Sequence, residues 1–114
     1  YLHTPEKIFS GYIEYLTNDL KNLNNSLGGE ECFLFGAHVF SQTLFSMGLK
    51  CNVKCILDND KDKQGKRLYG TNLTVKDVGV ISDYKYPKVI VRAGVYTLEI
   101  KEQLLKVNPN VKIY

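Results

Sequence analysis

Phe33-Leu34-Phe35-Gly36-Ala37-His38 decides how this chain is read: an apolar β-like run breaks at a glycine and restarts as a helical pattern. That order is how the first strand of a doubly wound α/β sheet hands over to its first helix. Backbone N–H groups at a helix start lack intrahelical acceptors, so such a turn can hold an anion without any catalytic side chain.

Working outward, Cys32 to Phe35 is apolar at every position, as a buried parallel strand requires. Val39, Phe40, Leu44, Phe45 and Met47 supply a helical apolar face that stops at Gly48, and Val53 to Leu57 is a second strand ending in Asp58-Asn59-Asp60. The unit is β-α-β and implies a parallel crossover. Upstream, Thr4 is the expected N-cap, with Pro5 at the first helical position. Ile8, Phe9, Tyr12, Ile13, Leu16, Leu20, Leu23 and Leu27 then recur at three- and four-residue steps until Gly28-Gly29. This amphipathic helix either lies across the domain's own sheet or connects to a neighbouring domain. Residues 1–29 are accordingly a connector or packing helix, and residues 30–114 the domain proper.

Downstream, Lys61 to Arg67 is a charged turn. Leu68 to Tyr86 holds only fragments: a Tyr69-Gly70-Thr71 turn, an extended Leu73 to Val75 and a helical turn from Lys76 to Val80. Lys88 to Arg92 is a third strand that opens at Ala93-Gly94. Ile100, Leu104, Leu105 and Val107 line one face of a last helix, which Asn108-Pro109-Asn110 breaks before a final strand, Val111 to Tyr114. The expected fold is α/β: three layers, Rossmann-like, with a small, mostly parallel four-stranded sheet in the order 2-1-3-4 and an extra N-terminal helix. In that order Gly36-Ala37 and Ala93-Gly94 face each other across the switch-point crevice, where ligands of open α/β sheets sit.

With 114 residues, 44% hydrophobic and 24% charged, the composition is that of one globular domain. The net charge of +3 is scattered, so nucleic-acid binding, which needs a concentrated basic stripe to track phosphates, is not indicated. No apolar run approaches the roughly 20 residues that cross a bilayer, and the start does not resemble a signal peptide. Cys32, Cys51 and Cys55 have no zinc-ligand spacing and read as free thiols of a cytoplasmic protein. The sequence opens at Tyr1 rather than Met and reads as a piece of a longer protein.

Candidate binding residues follow from the crevice. Gly36, Ala37 and His38 form the turn, although the full G-x-G-x-x-G fingerprint is incomplete. Asp58 stands 22 residues after Gly36, where an acid holds a ribose hydroxyl or, alternatively, caps its own turn. Asn59 follows it, and Lys61, Lys63, Lys66 and Arg67 can reach a diphosphate or remain a solvated turn balanced by Asp58, Asp60 and Asp62. Ala93, Gly94 and Tyr96 form the opposite wall, with Tyr96 either stacking on a ligand or covering the sheet. No catalytic set and no metal site are expected.

Leu34-Phe35-Gly36-Ala37, Thr43-Leu44, Ile56-Leu57-Asp58-Asn59-Asp60, Lys63-Gln64-Gly65-Lys66 and Gly70-Thr71 together resemble the Rossmann-like C-terminal domain of sugar C-methyltransferases. The resemblance implies a module that helps bind a nucleotide-linked sugar, with Gly36, Ala37, His38, Asp58, Lys63 and Gln64 on the motif that lines its crevice. It further implies that S-adenosylmethionine is bound in a preceding domain, so this chain carries no cofactor and no complete active site. Two other readings stand beside it: the nucleotide-sugar module of an acetyltransferase, and a ligand-free structural domain that dimerises through its first helix.

Overall fold

A computed structural model describes residues 5–68 and 70–114, with the side chains of 14–38, 41–68 and 70–114. The proposed Thr4 cap, the Tyr69 part of its turn, and the side chains of Ile8, Phe9, Tyr12, Ile13, Val39 and Phe40 lie outside what is described. The elements are α1 (Pro5–Leu27), β1 (Glu31–Phe35), α2 (Val39–Ser46), β2 (Asn52–Leu57), β3 (Val75–Lys76), a 3-10 segment (Val78–Asp83), β4 (Lys88–Val91), a 3-10 turn (Gly94–Tyr96), α3 (Thr97–Val107) and β5 (Lys112–Ile113).

The α/β class is as expected, but the sheet has five strands in the order β3-β2-β1-β4-β5, not four in the order 2-1-3-4. Every pairing is parallel. The added strand is the two-residue Val75–Lys76, which extends the sheet beyond β2 through Ile56 and Leu57. Such a strand is too short to show an alternating pattern, and distant backbone pairing creates it. The Gly65 N–H donates to the Val75 carbonyl at 2.8 Å, and the Val75 N–H to the Lys66 carbonyl at 2.8 Å. The charged turn is thus stitched to the sheet edge.

Two apolar layers flank the sheet. On one face Leu20, Leu23 and Leu27 of α1 and Leu44 of α2 pack with Cys32, Leu34, Val53, Ile56 and Ile90. On the other, Leu104 of α3 and Val78 and Ile81 of the 3-10 segment pack with Phe33, Cys55, Leu57, Val89 and Val91. A register shift explains how β2 serves both faces. Cys32 pairs with Val53 but Leu34 with Ile56, so β2 carries one extra residue. Val53 and Ile56, three apart, therefore share a face. The described half of α1 lies on the domain's own sheet, the first of its two expected placements.

Two apolar residues depart from their expected helix faces: Phe45 and Leu105 are exposed. The stripe of α3 that meets the sheet is Ile100, Leu104 and Val107, and Leu105 is one step of about 100° away from it. Asn108, buried after α3, donates through Nδ2 to the carbonyls of Ile81 (2.9 Å) and Tyr84 (2.7 Å), and its Oδ1 accepts from the Asn110 N–H (3.0 Å). This one amide fixes the 3-10 segment against the break that launches β5.

The expectation of three free thiols is corrected. Cys32 and Cys51 form a disulfide, and only Cys55 is free. Cys32 lies in β1 and Cys51 just ahead of β2, so the bond closes the β1-α2-β2 unit at the end of the sheet opposite the crevice. Burial raises the Cys55 thiol pKa, with Lys76 opposing, which keeps the group protonated and inert.

Candidate functional site

The strand ends at Phe35, and the chain must then turn sharply into α2. Gly36 makes the turn at φ +105°, a conformation that a side chain rarely adopts. Its N–H donates to the Leu57 carbonyl at 2.7 Å, and its carbonyl accepts from the buried Ser41 hydroxyl at 2.6 Å. The Ala37 N–H donates to Asp58 Oδ2 at 2.8 Å, while Asp58 Oδ1 accepts from the Asp60 N–H at 2.9 Å. The Gly36 and Ala37 amides expected to point at an anion are thus both taken by protein groups. Asp58 performs the capping role foreseen for it and still has lone pairs for two further donors, since a carboxylate offers about four acceptor positions.

His38 is the residue before the first turn of α2 and has extended backbone. Its imidazole lies directly over Gly36, so that a Cβ at Gly36 would run into the ring. Partial burial there lowers the His38 pKa from 6.5, Lys63 lowers it further, and Asp58 opposes both. The neutral ring is the form that the fold favours. Its contribution to stability therefore falls away as pH drops below about 6.5, where the unfolded chain takes up the proton more readily. Lys63 Nζ donates to the Ala37 carbonyl at 3.1 Å.

Gly36→Ala is expected to cost about 2 kcal/mol, because it adds positive-φ strain to the clash with the ring. Urea unfolding measures it, and His38→Ala in the same chain should return the clash part only. Full recovery in the double variant would remove the backbone argument.

Across the crevice, β4 ends at Val91 and the 3-10 turn carries the chain into α3. The Tyr96 N–H donates to the Ala93 carbonyl at 3.0 Å, and the Ala93 N–H to the Thr97 hydroxyl at 3.3 Å. Asn59 and Gln103 exchange two amide hydrogen bonds of 2.9 and 2.8 Å, which ties the end of β2 to α3.

Between these walls lies a cavity of about 370 Å³ lined by Phe35, Gly36, His38, Asp58, Asn59, Arg92, Ala93, Tyr96 and Ile100. Six of the ten expected residues meet there: Gly36, His38, Asp58, Asn59, Ala93 and Tyr96. Gly94 lines a neighbouring cavity, with Arg92 and Lys101. Ala37 and Lys63 line a third, on the far side of the turn. Gln64 is turned inward, its Nε2 donating to the Asp58 backbone carbonyl at 2.8 Å, so it supports the turn. Phe35, Ile100 and Arg92 were not foreseen. Phe35 and Ile100 each sit one step from a recognised element, and their apolar side chains signal only burial. Arg92 is anchored by Asp19 of α1 through bonds of 2.8 and 2.7 Å.

The site offers an apolar wall, one carboxylate, a guanidinium already held by Asp19 and a half-covered glycine turn, which is a binding geometry. Among the described residues no group of three His, Cys, Asp or Glu side chains could hold a metal ion. A comparison with curated proteins finds no match to the chain. A domain family described as "C2185-like, N-terminal" matches residues 29–114, a span that begins just before β1, runs through β5 and includes both walls of the crevice. The chain belongs to the C2185-like, N-terminal family.

Proposed function

We propose that the crevice binds a nucleotide-linked sugar, and that the chain is the sugar-nucleotide-holding module of a sugar-modifying enzyme. The observation that carries this reading is the 370 Å³ cavity at the carboxyl ends of β1 and β4, where Asp58 faces the apolar side chains of Phe35, Tyr96 and Ile100. A ribose or sugar diol matches the remaining acceptor capacity of Asp58, and a flat base matches the apolar wall.

The resemblance set out above supports an S-adenosylmethionine-dependent sugar methyltransferase as the parent, with the methyl donor held by a separate domain and methyl transfer performed there. It implies a module at the C-terminal end, whereas the matching family is described as an N-terminal domain. A glycine-rich donor motif before or after this module in the parent chain would decide the order. Cytoplasmic residence belongs to the same proposal. Among the described residues no helix is long and apolar enough to cross a membrane, and the disulfide weighs against a reducing compartment.

Calorimetric titration with uridine, guanosine, cytidine and thymidine diphosphate sugars tests the binding. At least one should give heat, and Asp58→Asn should weaken it about tenfold or more, the worth of a hydrogen bond to a charged acceptor. No heat and no change in melting temperature with any of the four would overturn the proposal. A structural reading, in which the domain dimerises and binds no ligand, draws on the internal use of Asp58 by the Ala37 and Asp60 amides. It expects a dimer by light scattering and indifference of that dimer to Asp58→Asn.

A further inference from the structure

The Gly36-Ala37 turn is closed to an anion. Its two amides are donated to Leu57 and Asp58, the His38 ring covers the glycine, and the Asp58 carboxylate sits beside it. A diphosphate approaching there would meet a negative charge and no available N–H from either residue. On the far side of the same turn the charge is reversed. A cavity of about 180 Å³ between α2 and the 63–67 turn is lined by Lys63, Lys66, Arg67, Gln42 and Ala37, with no acidic side chain in its wall.

Charge runs are usually solvated and self-compensating, and this one contains Asp60 and Asp62 as well as Asp58. Among the described residues, however, none of these three acids forms an ion pair with Lys63, Lys66 or Arg67. Asp58 and Asp60 are engaged by backbone amides, Asp60 Oδ1 accepting from the Asp62 N–H at 2.9 Å. The ion pairs among the described residues join Lys54 to Glu31, Lys88 to Glu30 and Arg92 to Asp19, and none uses Lys63, Lys66 or Arg67. The pairing of Gly65 and Lys66 with Val75 holds the backbone of these cations against the sheet edge, so their charges stay gathered at one cavity.

We propose that this cavity binds the phosphate groups of the ligand, with Lys63, Lys66 and Arg67 as the charged contacts and Gln42 as a neutral donor. The inference rests on the preceding proposal for the ligand's identity and changes where its charge is held. The nucleoside or sugar occupies the crevice beside Asp58, and the diphosphate passes over the Ala37-His38 peptide. The two compartments border adjacent residues of that turn, whose Cα atoms are about 3.8 Å apart.

Inorganic pyrophosphate titrated into the uniformly ¹⁵N-labelled chain, followed by amide shifts, tests the site. Saturable shifts at Gln42, Lys66 and Arg67 are expected, weakening with added salt, and Lys66→Gln/Arg67→Gln should reduce affinity about tenfold or more. Both side chains are exposed, and a melting curve checks the fold; Lys66→Gln alone is the milder second variant, and Lys21→Gln on α1 the control. Uridine, which lacks phosphate, and a uridine diphosphate sugar separate the two compartments: the double variant should weaken the second and leave the first unchanged.

Shifts concentrated at Gly36, Asn59 and Ala93 of the crevice, equal affinity in the double variant, or no saturable pyrophosphate binding would each overturn the site. Nucleotide-sugar binding in the crevice that ignores Lys66→Gln/Arg67→Gln would overturn it too, while leaving the preceding proposal intact. Pyrophosphate saturating the cavity without any response to nucleotide sugars would uphold the anion site and sink the proposed function.

Discussion

Arg92→Ala is expected to lower the unfolding free energy by about 3 kcal/mol, the low end of what breaking one side of a buried ion pair costs. The guanidinium donates Nε and Nη2 to the two oxygens of Asp19, at 2.8 and 2.7 Å, and Nη1 to the carbonyls of Val91 and Tyr114, both at 2.8 Å. One side chain therefore joins α1, the end of β4 and the residue after β5. The side chains are 24% and 14% exposed, enough for water to moderate the loss and too little to make it negligible. Removing the arginine strands a mostly buried carboxylate, so Arg92→Ala/Asp19→Ala should cost less than the sum of its single changes.

Arg92→Lys should recover only part, because an ammonium cannot form the two-pronged contact. The hydrogen bonds that the guanidinium donates to Asp19 raise its pKa above the ordinary arginine value, with burial opposing. The pair's contribution is thus present at all lower pH values and is lost only as pH rises through that raised value. Denaturant unfolding of the four chains at neutral pH measures the coupling. Strict additivity would show that the contact is not energetically coupled.

How much of this was legible depends on how local each signal is. The β1-turn-α2-β2 unit is written in adjacent residues: an apolar run, a glycine, a helical face, a second run and an acid. Ala93-Gly94 could be placed opposite Gly36 because parallel strands joined by crossovers must bring their carboxyl ends together. β3 was legible only as an extended Leu73 to Val75 and not as a strand of the sheet, since Val75 and Lys76 carry no pattern and are extended by partners at Ile56, Leu57, Gly65 and Lys66. The engagement of the Ala37 amide by Asp58 was invisible for a related reason. Sequence spacing places the acid near the turn, but only side-chain geometry shows that it closes the turn it was expected to serve. Arg92 and Asp19, 73 positions apart, belong to elements whose contact no periodicity announces.

The cysteines show the same limit, with a larger consequence. An odd number without metal spacing argues for free thiols, yet parallel pairing brings Cys32 of β1 beside the residue that enters β2 at Cys51. Reduction of this disulfide, which spans 19 positions, is expected to cost about 3 kcal/mol from the restored freedom of the unfolded chain. For a chain of this size that lowers the melting temperature by on the order of 10 °C. Cys32 is fully buried and Cys51 nearly so. A reductant must therefore wait for the fold to open, and reduction should accelerate steeply as urea is raised.

Alkylation of the unfolded, unreduced chain followed by mass measurement should label Cys55 alone; labelling of all three cysteines would show that the bond is absent. The outcome also bears on residence. In a reducing cytoplasm the bond survives only while the fold shields it, so the chain would be trapped in its oxidised form by burial or would function without that increment of stability. In the reduced chain the crevice should still assemble, because Gly36, Ala37 and Asp58 are held by their own hydrogen bonds at the opposite end of β1. Nucleotide-sugar titration before and after reduction, below the lower melting temperature, should therefore give the same affinity.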